Sequence, residues 1–394
     1  MTDLSRPLLV LYIVWHPDFD DGIEIANILR DHFRRKLYEN VTGGTGLSVI
    51  YRFAAAPGAA MPLPIDLTEA ETTAVVVLAD RHLAADAAWT GYVRELVERT
   101  EAEGFGKRVF PVAIDADVLG ALGIEEQALR WDLWATARNE RCARLTWELT
   151  HEFCRILRYF LEQLKRPDLD ADGLAAYLKK VQVFLSHSKH DEDGVRIARS
   201  IRDWLHTGHG VASFFDVHDI PAGLRFNKVL LQQVRVSAMV AIHTDSYSSR
   251  EWCRREIIEA KRHDVPLVVA DSISDREERG FPYLGNVPVV RFVHNGVPRI
   301  EVVIGRLLDE VLKDFLWRCR VQLSIDTVDP RVIFIPRTPE LISLANLPKE
   351  GDLPLPILVY PDPPISAEEE LLFSEIAPRV QLRSFTEWMS GAIR

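Results

Sequence analysis

In residues 181–205, VQVFLSHSKHDEDGVRIARSIRDWL, a strand-like apolar run gives way within a few positions to a helical pattern. Residues 8–33, LLVLYIVWHPDFDDGIEIANILRDHF, do the same. After the apolar run each has an acidic-Gly start, Ile-Ala three residues on, and a hydrophobic-Arg-Asp at a matched distance. The parallel continues with TAVVVLAD from Thr73 against SAMVAIHT from Ser237, and KRVFPVAID from Lys107 against DVPLVVAD from Asp264. Each series closes on a long amphipathic pattern, from Leu145 and from Ile300. A spacing of about 170 residues is too long for a solenoid and suits duplicated domains. Strands alternating with helices predict βαβ units around parallel sheets.

The segment KRPDLDADG from Lys165 is acidic and carries a proline, as a linker does. Beyond Cys319, RVIFIP from Arg331 and PILVYPDPP from Pro356 read as strands and SAEEELLFSEI from Ser366 as a helix. The expected domains are therefore 1–165, 178–320 and a small α/β extension over 326–394. The chain has 394 residues, 47% hydrophobic and 27% charged, with a net charge of −11. That charge argues against a nucleic-acid partner, which needs a concentrated basic surface. Four cysteines without CxxC spacing fit thiols in a reducing compartment. The N-terminal apolar run is too short to span a bilayer and lacks a cleavage site, so the expected location is the cytoplasm, with no membrane partner.

Ligands gather at the carboxyl ends of parallel strands. In the second unit those ends carry Ser186 and His187, then Asp216, then Thr244 and Asp245. DVHDIPAGLRF from Asp216 is a Pro-Gly loop placed to close over them, and YSSREWCRREIIEAKRH follows from Tyr247. There Ser248 and Glu251 have capping-box spacing. Glu256 lies one turn beyond Trp252, close to the apolar positions Cys253, Ile257 and Ala260. A glutamate at such a boundary is ordinarily a surface ion-pair member, and Trp252 serves either core packing or a site wall. His187 and His190 have no third residue at zinc-like spacing, so no metal is expected.

VFLSHSKHDED, FFDVHDIPAG and SREWCRRE together resemble the bacterial kind of Toll/interleukin receptor (TIR) domain over residues 181–316. The second stretch stands where that family has its BB loop, and the third matches its W-x-x-x-E. Residues 8–164 resemble a second, divergent copy. The resemblance implies two flavodoxin-like parallel-sheet domains and cleavage of the nicotinamide–ribose bond of NAD. It places the essential glutamate at Glu256, with Trp252, Ser186, Asp216 and Phe226 around the substrate. NAD is then a substrate and no cofactor is implied. The products it implies are nicotinamide with ADP-ribose or a cyclic form, and the role it implies is prokaryotic antiviral defence. Activity is expected to need homo-oligomers through TIR domains, and a separate sensor or activator is left open.

One carboxylate suffices for this chemistry, because the nicotinamide ring is already cationic and leaves neutral. The oxocarbenium-like transition state is what a carboxylate stabilises. Two other readings stay open: a non-enzymatic TIR adaptor that recruits partners, and a nucleoside hydrolase or deoxyribosyl transferase. The first unit departs from the pattern. Four residues beyond its Trp89 stands Val93, and Glu95 falls out of register. That copy is expected to be a non-catalytic recognition or assembly surface.

Overall fold

The computed structural model describes residues 6–38, 46–54, 61–124, 128–170, 173, 181–206, 212–215, 238–324, 329–347 and 355–391. The chain divides into two compact units, Met1–Leu178 with Cys319–Ile325 and Lys179–Arg318 with Asp326–Arg394.

In the first unit the strands are β1 (Leu9–Trp15), β2 (Ser48–Arg52), β3 (Thr72–Ala79) and β4 (Lys107–Ala113). They are all parallel, in the order β2-β1-β3-β4. Helices α1 (Gly22–Arg30), α2 (Arg81–Ala85), α3 (Ala87–Ala102), α4 (Val118–Leu122) and α5 (Arg138–Lys165) accompany them. Every residue of β1 and β3 is buried. This is why both read as unbroken apolar runs rather than alternating ones, as strands covered on two faces must.

The second unit repeats the plan with one more strand. Its strands are β5 (Val181–Ser186), β6 (Ala212–Phe215), β7 (Ala238–His243), β8 (Leu267–Asp271) and β9 (Val289–Arg291). All are parallel, in the order β6-β5-β7-β8-β9. Helices α6 (Glu192–His206) and α7 (Glu251–Arg262) follow β5 and β7. A two-residue antiparallel ladder, β10 (Val293–His294) with β11 (Val297–Pro298), precedes α8 (Ile300–Ser324). Both sheets start in the middle, step to one side and then grow on the other, which is the flavodoxin-like order. The two parallel sheets expected from the sequence are present.

The repeated acidic-Gly start has a steric cause. A Cβ on Gly22 would stand 2.2 Å from the Trp15 ring, and one on Gly194 would stand 3.1 Å from the Ser188 carbonyl. Close to each helix start a glycine thus lets the helix approach the chain leaving the preceding strand: at Gly22 a Cβ would overlap the ring outright, and at Gly194 it would press on the carbonyl. From there Ile197, Ala198, Ile201 and Leu205 are buried, the inward stripe of an amphipathic helix.

The C-terminal segment clusters with the second unit. Its strands β12 (Val332–Phe334), β13 (Ile357–Tyr360) and β14 (Gln381–Ser384) form a parallel sheet in that order. Its helices are α9 (Leu341–Ala345), α10 (Ala367–Ile376) and α11 (Phe385–Met389). The two expected strands and the expected helix are present. The short third strand QLRS, with a single buried residue, carries no alternation for sequence reading to find. None of the four cysteines is in a disulfide and all are buried, Cys142, Cys154 and Cys319 in the first unit and Cys253 in the second.

Candidate functional site

The strand order of the second unit reverses between β5 and β7, and a crevice at the carboxyl ends of such strands is where ligands bind. Strand β5 ends on Ser186, in register with Ala241 of β7. A 3-10 turn, Tyr247–Ser249, leads from β7 into α7. On α7 the buried residues Cys253, Glu256, Ile257 and Ala260 recur at three- and four-residue steps, so Glu256 occupies a core position of an amphipathic helix. It is only 4% exposed.

Glu256 is satisfied from inside. The Ser186 hydroxyl donates to its Oε2 at 2.5 Å, and the same Ser186 oxygen lies 2.6 Å from the Tyr247 hydroxyl. Serine has a single O–H, so when it is given to the carboxylate, Tyr247 is the donor to Ser186. Tyr247 is fully buried, and burial, then the charges of Cys253 and Glu256, push its phenol well above the ordinary value. It therefore stays protonated and available as that donor.

Burial pushes the Glu256 carboxyl up from 4.5 to about 7, against hydrogen bonds from Ser186 and Trp252 and the charge of Lys189. Desolvation wins over the bonds that favour the charged form. The result is a carboxylate that changes charge near neutrality in a water-poor place, which is what catalytic groups share. Neighbouring Cys253 goes up to about 12, first through burial and then through the Glu256 charge. Its thiol is a small core group and not a nucleophile.

Trp252 is half-buried against the cluster of Phe184, Met239, Tyr247 and Ile257. The Arg255 guanidinium covers its ring at 4.8 Å from the centroid. The Ser248–Glu251 capping box is not formed. The residue before α7 is Arg250, without a side-chain cap, and Ser248 is fully buried, donating to Glu277 at 2.5 Å. His243 Nε2 joins the same Glu277 oxygen at 2.9 Å. The 3-10 turn takes Ser248 off the helix end and into this network. Asp245 organises the loop after β8, accepting from the backbone N–H groups of Ser274 and Asp275 at 2.7 and 3.1 Å. These bonds hold its carboxyl below the ordinary range.

Asp216, Phe226 and the rest of the Pro-Gly loop lie outside the described residues. Among the described residues no group of three or more His, Cys, Asp and Glu is placed to hold a metal ion. No described helix is long and apolar enough to cross a membrane.

Residues 183–297, from β5 to the β10–β11 turn, match the family model of the TIR domain. This stretch is a TIR domain. No curated protein matches the chain significantly. Within the TIR domain, Glu256, Ser186 and Trp252 come together, whereas Tyr247 and Lys189 were not singled out from the sequence. Tyr247 stands at the start of the quoted YSSREWCRRE, but only the fold brings its hydroxyl to a serine 61 positions earlier.

The first unit, outside the matched stretch, fills the equivalent place differently. Val93, four residues after Trp89, is 0% exposed within the apolar core. Glu95 is exposed and 4.0 Å from Arg99. The carboxylates near the end of β3 cap helices: Asp80 accepts from His82 and Leu83 N–H, Asp86 from Ala88 and Trp89 N–H.

Proposed function

We propose that the TIR domain cleaves NAD at the nicotinamide–ribose bond, with Glu256 as the catalytic residue. The observation that carries this reading is the Glu256 carboxyl itself: buried at the strand-order reversal, bonded to Ser186, and poised near neutrality. The C1′–N bond breaks with its electron pair passing to the nicotinamide nitrogen, which turns from cation to neutral. The positive charge left on the ribose is met by the Glu256 carboxylate in low dielectric, where such stabilisation is strongest. Water then adds at C1′ and releases a proton, giving ADP-ribose; attack by an adenine nitrogen of the same molecule gives a cyclic form instead.

Ser186 holds the carboxylate and favours its charged form, and Trp252 with its Arg255 cover limits water on one side. The first unit is proposed as a non-catalytic recognition or assembly surface, since Val93 offers no carboxylate. A role in prokaryotic antiviral defence, in the cytoplasm and through homo-oligomers, follows the family resemblance, and a separate activator remains part of that proposal.

The test is purified protein incubated with NAD, alone and with a crowding agent, with chromatographic identification of products. Glu256→Gln keeps the volume and removes the charge, so nicotinamide release is expected to fall by about 10²–10³-fold. Undiminished release by a folded Glu256→Gln protein would rule out this role. Absence of release from the wild type in assembled form would favour the adaptor reading.

A further inference from the structure

Helix α7 ends against the C-terminal segment, within one compact unit. Lys261, next to last in the helix, has a side chain only 4% exposed. Its ammonium donates to both Glu340 oxygens, at 2.9 and 2.6 Å, and to the Gly285 carbonyl at 2.7 Å. Asn346 donates to the Arg262 carbonyl at 3.0 Å, and Arg337 to the Val265 carbonyl at 2.7 Å. The last carbonyls of a helix have no partner within it. Asn346 supplies one from far along the chain.

A second attachment is aromatic. Trp317 of α8 meets Phe334 and Phe385 edge-on at 6.2 and 5.6 Å between centroids, and Trp388 closes the cluster on both. With two points of attachment the segment is held in one orientation. Removing it would leave Lys261 buried without its counter-charge, a costly state.

Lys261 is five positions along the helix from Glu256, about 7.5 Å of stiff helix. We propose that Glu340, Asn346 and Arg337 are positioning residues, through which the C-terminal segment fixes α7 along its axis and so sets the contact between Ser186 and Glu256. The matched TIR stretch ends at residue 297, so this device lies beyond it. A bond of 2.5 Å between Ser186 and Glu256 leaves little slack, and a shift of α7 by a fraction of an ångström weakens it. The geometric claim stands without the NAD reading; its effect on turnover rests on that reading.

The test uses the full chain, labelled with nitrogen-15, and follows the Trp252 indole resonance from pH 5 to 9. That indole sits beside Glu256 and reports its titration. Besides Trp252, the groups that surround Glu256 are Ser186, Tyr247, Cys253 and Lys189. Lys261→Met with Glu340→Met deletes the ion pair without stranding a charge, and Asn346→Ala deletes the cap alone. Each is expected to raise the titration midpoint by roughly 0.5 unit or more, since a weakened Ser186 bond favours the charged form less. Turnover of NAD should fall in kcat with KM unchanged.

A midpoint at the wild-type value in both variants, whatever happens to thermal stability, would make the segment a plain stabiliser and overturn the proposal. A raised midpoint in a protein that never cleaves NAD would leave the positioning role standing and the proposed activity refuted.

Discussion

Glu256 is a carboxyl whose ionised form the fold opposes. Its folded value of about 7 lies above the ordinary 4.5, so the folded chain holds this proton more tightly than the unfolded one. Stability from this group is therefore greatest below about pH 4.5 and declines as pH rises toward 7. Above that it is lower by about 3 kcal/mol, the gap between the two values at 1.36 kcal/mol per unit. Glu256→Gln should accordingly be more stable than wild type by about 3 kcal/mol at pH 8 and nearly equal to it at pH 4. Urea unfolding at the two pH values measures this. Equal stability at pH 8 would mean that the carboxylate is far better solvated than its burial implies. A residue kept at such a cost at neutral pH, while glutamine fits the same space, is better explained by chemistry than by packing.

Helices α3 and α7 occupy matching places in the two sheets, yet only α7 carries a carboxyl on its inner face. Position four after the tryptophan is Val93 in one and Glu256 in the other, and the surrounding apolar pattern accepts either. Glu95→Gln should leave nicotinamide release and stability unchanged, within about 0.5 kcal/mol, because an exposed pair with Arg99 contributes little. A loss of turnover matching that of Glu256→Gln would place a working site in the first unit. Elements of this size were largely legible in the sequence. Buried parallel strands announce themselves as apolar runs, and the Gly22 and Gly194 helix starts as a repeated motif. What local pattern misjudged was Ser248. Its spacing to Glu251 matches a capping box, but Glu277, 29 residues on, competes for the hydroxyl from a loop with no signal of its own.

Two sheets of one order in a single chain give it two potential faces for self-contact, while a net charge of −11 opposes casual association. If the TIR domain works in assemblies, specific activity toward NAD should rise with protein concentration and level off once assembly is complete. A dilute monomer, verified by light scattering, that turns NAD over at the assembled rate would refute this. At this scale the sequence was least informative. The parallel sheets followed from the repeat and their flavodoxin-like class from the family resemblance, but the pairing of Lys261 with Glu340 spans 79 positions and leaves no periodic trace. The sequence reading set residues 326–394 apart as an extension. Only the fold shows the segment to be joined to the helix of Glu256.

The uneven share of thiols between the units gives the chain its own chemical reporters. Cys253 is the sole cysteine of the second unit and lies in the core beside Glu256, its thiol at about 12 too weakly acidic to react from a closed state near neutrality. The first unit holds the other three. A bulky alkylating reagent added to the native protein therefore records such excursions as added mass, and the peptide that carries it, with Cys253 or with one of the other three, says which unit opened. Breathing around the carboxylate becomes countable by mass spectrometry, without a label, a substrate or an engineered probe.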